Sequence, residues 1–291
     1  INFIMEVENL SFPDAVQFLA KRANMEVPEE QENHGASQLR KRLLELNRDA
    51  ARWYYDTLQS PAGAAVQAYL DKRQIRRAVA VRFGMGASTP NWDDLIRAMT
   101  ARGYTKTELL SAGLAVAGKN GGIYDKFRNR LMLPVIDSRG DVVGFGSRVI
   151  DNSEPKYMNT TETPVYSKRR VLYGLNLAKK TKRPNIILCE GNLDVVTLHQ
   201  AGFDNAVASM GTALTEEQIR LLGKYTHELV LCYDNDGAGQ KAAQRAIGIM
   251  ENLDLKVKVL RVPGAKEGKP YTAPATIAPV VPDNGVIIIG S

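Results

Sequence analysis

The chain has 291 residues, 44% of them hydrophobic, with 38 Lys and Arg against 32 Asp and Glu for a net charge of +6. That is material for one or two modest soluble-type domains. The longest apolar runs, residues 186–189 and 286–289, are far too short to span a bilayer. No signal segment opens the sequence, which predicts a cytoplasmic protein without a membrane partner. Ile1 is not a natural initiator and reads as a fragment boundary. The basic excess fits a polyanionic partner without identifying one. Cys189 and Cys232 sit inside apolar runs and read as buried, reduced thiols. His34, His199 and His227 have no metal-ligand spacing, so no zinc site can be written from them.

In chain order, FPDAVQFLAKRA (residues 12–23) puts Val16, Leu19, Ala20 and Ala23 on one helical stripe behind an early Pro. Residues 27–37 are polar and turn-rich and read as a linker. Ser37 then reads as the cap of a long helix to about residue 58, with Leu39, Leu43, Leu46, Ala50 and Trp53 on one face. Pro61 suits the first turn of another helix through Leu70. Further helices are expected over 91–102 and 105–112. Near Arg130 the pattern changes: RLMLPVID and DVVGFGSRVI, joined by Ser-Arg-Gly, predict a β-hairpin. From Asn185 onward, apolar runs at 186–189, 206–208, 229–233 and 257–260 alternate with helical stretches at 193–201, 216–224 and 238–252. Strands alternating with helices imply right-handed crossovers and a mainly parallel sheet.

Two of those strands end in acid. Glu190 follows IILC, and a helix bearing Asp194 comes next; Asp234 and Asp236 follow ELVLCY, with Gly237 and Gly239 opening another helix. Reactive crevices of open α/β sheets lie beyond the carboxyl ends of the strands. Carboxylates gathered without His or Cys select hard cations, Mg2+ or Mn2+. Taken alone, the D-x-D pair is equally well read as a helix cap. Coupled to Glu190 on a second strand, it is better read as a metal site. Three basic knots, Lys72/Arg73/Arg76/Arg77, Lys126/Arg128/Arg130 and Lys168/Arg169/Arg170, suggest a groove rather than three solvated faces.

The E-G-x-x-D and D-x-D-x-A-G motifs, with Gly211 and Thr212 between them, resemble the TOPRIM fold of DnaG primases, topoisomerases and some nucleases. YDKFRNRLMLPVID, GFGSRVI, PKYMNTTETPVYSK and LYGLNLAKK, in that order, resemble the bacterial DnaG-type primase core just before its TOPRIM part, and FIMEVENLSFPDAVQFLAKRANMEV resembles the stretch leading into that core.

The resemblance implies an α/β fold, α+β overall. A helical and mixed-β basic subdomain (37–184) would follow a leading segment (1–36) and precede a TOPRIM domain (185–265) with a mainly parallel sheet flanked by helices. It implies a DNA-directed RNA polymerase that makes short RNA primers on single-stranded DNA from ribonucleoside triphosphates by two-metal nucleotidyl transfer. Glu190, Asp234 and Asp236 would hold the catalytic metals, with Asp194 supporting. Arg130, Arg148, Lys156, Asn159 and Lys168 would contact template or nucleotide.

A monomeric core is expected, with a replicative helicase and single-strand-binding protein as partners. Zinc belongs only to the family's N-terminal domain, whose ligands this sequence lacks, and the helicase-binding domain is missing too. After VLRVPGAK the family's D-P-D-type acidic motif is replaced by EGKPYTAPATIAPVVPDNGVIIIGS, where Glu267 is the only acid nearby, so residues 266–291 read as an atypical, truncated, frameshifted or fused tail. The alternatives are a TOPRIM nuclease or topoisomerase, and a DNA-binding primase remnant without polymerase activity.

Overall fold

The computed structural model describes residues 1–8, 10, 12–23, 25, 31–119, 121–211, 213–233, 237–250, 255–260, 279–280 and 288–289. Two compact units comprise residues 1–43 and 44–291. In the first, α1 (Asn2–Glu8) packs on α2 (Phe12–Ala23). The predicted stripe of α2 is half-buried at Val16, Leu19 and Ala20, beside a buried Ala15, while Ala23 is exposed. The long helix, α3 (Gln31–Gln59), starts earlier than expected, so residues 31–37 are helical and Ser37 is an interior residue rather than a cap. The cause is propensity: between Gln31 and Gln59 there is no Pro, and one Gly costs only about 1 kcal/mol against so many good helix formers.

In the second unit, Ser60 follows α3: its hydroxyl donates to Thr57 O at 2.8 Å and accepts from Ala62 N at 3.3 Å, capping the next turn. A single 3-10 turn at Pro61–Gly63 leads into α4 (Ala64–Lys72) and α5 (Arg77–Arg82). Then come β1 (Gly86–Ser88), α6 (Asp94–Ala101), α7 (Lys106–Ser111), β2 (Ala115–Ala117) and β3 (Ile123–Asp125). Strands β4 (Arg130–Ile136), β5 (Val142–Val149) and β6 (Tyr157–Asn159) complete an antiparallel sheet of order β1-β4-β5-β6, while β2 and β3 form a separate hairpin. The expected turn between β4 and β5 is organised by Asp137, whose Oδ1 accepts from the amides of Arg139, Gly140 and Asp141 at 2.9–3.0 Å. Buried Asn47 of α3 donates to Val143 O at 3.0 Å, and Tyr54 meets Phe145 edge-on at 5.4 Å. Helix α3 therefore packs on one face of this sheet, and Leu131, Leu133 and Val135 of β4 join a core with Tyr173, Val195 and Ala208.

After the short α8 (Leu175–Ala178) the rhythm becomes strictly alternating: β7 (Ile186–Cys189), α9 (Asn192–Gln200), β8 (Ala206–Ala208), α10 (Glu216–Gly223), β9 (Glu228–Cys232), α11 (Gly237–Met250) and β10 (Lys256–Val259). The four strands are all parallel, in the order β10-β9-β7-β8. Leu188, Val207, Leu229 and Leu231 from the strands share one core with Ile219, Leu222, Ala246 and Met250 from α10 and α11. The α/β class, with a helical and mixed-β part before a parallel sheet, is as the sequence implies. The tail from 266 lies outside the described residues apart from the paired dipeptides Pro279–Val280 and Ile288–Ile289. No helix among the described residues is long and apolar enough to cross a membrane.

Candidate active site

Strands β7 and β9 are neighbours, with Cys189 directly across from Cys232. Both cysteines are free thiols, Cys189 buried and Cys232 half-buried. The residues that follow them in sequence, Glu190 and Tyr233, leave the sheet from adjacent carboxyl ends. Asp234 and Asp236 come two and four positions after Cys232 and lie outside the described residues. Glu190 is half-buried. Asp194, three residues into α9, accepts from Gly191 N at 3.0 Å, so one of its oxygens caps the helix that leaves the site.

Negative charge is felt around this crevice. The Cys189 thiol is pushed up by its hydrogen bond to Cys232, then by burial and by the carboxylates of Asp194 and Glu190. The Tyr233 hydroxyl is pushed up by burial and by Glu190. Such a field, set by oxygen ligands, suits a hard divalent cation, the ion that the family implies. Among the described residues no three His, Cys, Asp or Glu side chains converge as a metal site, and the fit rests on Glu190 and on the sequence that continues from β9.

The antiparallel sheet supplies the cations. Arg148 stands directly across from Leu131, and Arg130 from Val149, so the pleat sends the two guanidinium groups to opposite faces. Arg148 is bracketed by two tyrosines, 4.8 Å from the centre of the Tyr157 ring and 5.7 Å from that of Tyr69, and it donates to the Tyr157 hydroxyl. Arg130 donates to Pro155 O at 2.8 Å. Both arginines are buried, and Arg148 Nε and Arg130 Nη1 have no hydrogen-bond partner among the described residues. Buried donors without partners are rare in folded proteins and mark places where a ligand or water completes the bonding. Exposed Lys156 lies 5.9 Å from the Tyr157 ring centre. Lys168 is elsewhere, beside Lys126, whose pKa is lowered by burial and then by the Lys168 ammonium.

Asn159 joins the two halves. Its Nδ2 donates to Met210 O, 3.0 Å away in the loop after β8. Beside it, a Cβ on Gly146 would stand 2.5 Å from Asn192 Nδ2 and 3.1 Å from Asn159 Oδ1, so a glycine there lets the start of α9 approach β5. Asn159 and Arg148 are thus brought toward the Glu190 end of β7, whereas Arg130 faces the other side of the sheet.

One cluster escaped sequence reasoning. Trp92 is 62% exposed and lies edge-on to Tyr124 at 5.4 Å. The Arg128 guanidinium sits 4.1 Å from the Trp92 ring centre and 5.1 Å from that of Tyr124. Arg128 was visible as part of a basic knot, but Trp92, the ring it lies nearest, is remote from it in sequence. The first knot is partly structural: Arg76 is tied through its amide to Gln200 Oε1 at 2.8 Å and through Nη2 to Gln200 O at 2.6 Å. In the third, Arg169 pairs with Glu217 at 3.2 Å.

Residues 53–179 match the family model for the DNA primase catalytic core, N-terminal domain, and residues 187–270 match a Toprim-like model. A structure of the DnaG primase catalytic domain bound to ssDNA aligns with a TM-score of 0.75 at 35% identity, covering 80% of this chain and 76% of that one. The chain belongs to the DnaG primase catalytic-core family. Within the family, the Escherichia coli primase catalytic core aligns with a TM-score of 0.72 at 36% identity, covering 77% of this chain and 73% of that one. The DNA primase of Clostridium acetobutylicum is 40% identical over 270 residues, which are 92% of this chain and 45% of that protein. The DNA primase of Escherichia coli K12 is 40% identical over 253 residues, 85% of this chain and 43% of that protein. The chain therefore spans less than half the length of these full primases.

Proposed function

We propose that this chain carries out template-directed RNA primer synthesis on single-stranded DNA. The observation that most supports this reading is the Asn159–Met210 bond, which draws the basic antiparallel sheet up to the carboxylate end of the parallel one. Neither a TOPRIM nuclease nor a topoisomerase has need of that sheet.

In this reading the 3′-hydroxyl of one nucleotide attacks the α-phosphate of the next ribonucleoside triphosphate, a new P–O bond forms, and pyrophosphate leaves. Glu190, Asp234 and Asp236, with Asp194 in support, would hold Mg2+ or Mn2+, which when bound neutralise charge on the entering and departing oxygens. Arg148, held between Tyr69 and Tyr157, offers its spare donor to the triphosphate, and Asn159 and Lys156 orient the same ligand. Arg130, on the other face of the sheet, and Lys168, beside Lys126, would contact template phosphates. Trp92, Tyr124 and Arg128 form a stacking face for template bases, which every base satisfies through its π-surface.

Residues 1–36 are assigned to a leading segment, 37–184 to the basic subdomain, 185–265 to the TOPRIM domain and 266–291 to the atypical tail. A replicative helicase and single-strand-binding protein are partners expected of the longer protein. A second reading, a DNA-binding remnant without polymerase activity, is favoured by the missing acidic motif after Lys266. Incubation with a single-stranded template, labelled ribonucleoside triphosphates and Mg2+ or Mn2+ separates the readings. Labelled primers support the polymerase, template binding without product supports the remnant, and strand scission supports a nuclease.

A further inference from the structure

Asp125 ends β3 with a buried carboxylate whose two oxygens are taken up by main-chain amides. Its Oδ2 accepts from Leu95 N at 2.9 Å and its Oδ1 from Ile96 N at 3.0 Å, so it caps the first turn of α6 from a different element. Its own amide donates to Trp92 O at 2.7 Å, and its carbonyl accepts from Arg128 Nη1. One residue thus fixes, through four polar atoms, the segment carrying Trp92, the strand carrying Tyr124 and the loop carrying Arg128.

We propose that Asp125 is the positioning residue of the Trp92–Tyr124–Arg128 face, holding the three groups in register for stacking on single-stranded DNA; this rests on the reading of that face given above. The arrangement is costly for stability alone. A carboxylate is buried beside Asp93 and Asp94, with Tyr54 of α3 also facing it; Arg97 feels its charge, and Arg128 bonds its main-chain carbonyl. A neutral cap would serve the fold at less cost. What the ionised group adds is two equal acceptors: on protonation one oxygen becomes a donor, and one of the two amide bonds to α6 is lost.

Trp53 and Trp92 are the two tryptophans of the chain, so Trp53→Phe leaves Trp92 as the sole emitter. In that background, titration with an oligothymidylate is expected to quench Trp92 emission. Asp125→Asn should weaken binding roughly tenfold while the protein stays folded by its thermal midpoint, a factor equivalent to one such bond. The unmodified chain supplies a second measurement: anisotropy of a labelled oligothymidylate should show affinity falling below pH 6, with the Asp125→Asn chain flat by comparison. Quenching with an unchanged dissociation constant in Asp125→Asn, or the same pH profile in both chains, would overturn the role of Asp125 alone. Absence of quenching, together with full affinity in Trp92→Ala, would overturn the stacking face and the role of Asp125 with it.

Discussion

The side-chain amide of Asn159 donates to the main-chain carbonyl of Met210 over 3.0 Å, linking the last strand of the antiparallel sheet to the loop that leaves the parallel one. Cutting this link by Asn159→Ala should cost about 1 kcal/mol of stability, the net worth of one partly buried hydrogen bond. Loss of primer synthesis should be larger than the stability loss explains, because the sheet's cations would no longer be held against the Glu190 end of β7. Thermal melts and ribonucleotide incorporation, measured on the same preparation, check both.

Close packing of α3 on the sheet makes a second prediction. A Cβ on Gly86 would fall 2.5 Å from Tyr54 Cβ and 2.6 Å from the Tyr54 main-chain carbon. Backbone cannot yield as a long side chain does, so Gly86→Ala should destabilise by roughly 1–3 kcal/mol, the range of overpacked cores. A denaturant midpoint unchanged from the parent chain would contradict the packing.

On the exposed aromatic face, Trp92→Ala removes the ring over which Arg128 lies. Base–aromatic stacking is worth about 1–3 kcal/mol per base, so affinity for single-stranded DNA should fall by roughly tenfold or more. Because the contact is not to phosphate, the salt dependence of binding should change little. Fluorescence anisotropy at several salt concentrations tests both parts.

Asp125 also makes stability depend on pH. Unfolded, it titrates near about 4; folded, burial raises it to about 6, its two amide bonds oppose that rise, and Asp94 and Asp93 add to it. Between those values the folded chain holds the extra proton. The stability contributed by this group is therefore greatest below about pH 4 and is lost as pH rises through about 6. The thermal midpoint of the parent chain should drop relative to Asp125→Asn across that window, the opposite direction to the DNA affinity.

The parallel half was legible in the sequence because each strand is an apolar run of its own, Ile186–Cys189 or Glu228–Cys232, separated from the next by a helix-length segment. The hairpin of β4 and β5 was legible for the same reason, with Asp137 and Gly140 marking its turn. Strands β1, β2, β3 and β6 were not, since three residues carry too little periodicity to separate strand from loop. The start of α3 was misplaced because Asn33, Gly35 and Ser37 are turn residues by composition, and the helix overrides them. At the site, acids at two strand ends could be seen directly, whereas the Trp92 face depends on a long-range approach of α6 and β3 that no local pattern encodes. Basic knots misled where cations are spent on the fold, as with Arg76 on Gln200.

The central claim is that acids on adjacent strand ends, served by the basic sheet, make this chain a nucleotidyl transferase. Its most direct test is labelled ribonucleotide incorporation on a single-stranded template with Mg2+ or Mn2+, in the parent chain and in Glu190→Gln and Asp234→Ala, with template affinity measured alongside. The account predicts primers from the parent, none from either variant, and template binding retained in all three. Template binding without primers from the folded parent, or primers undiminished in both variants, would contradict it.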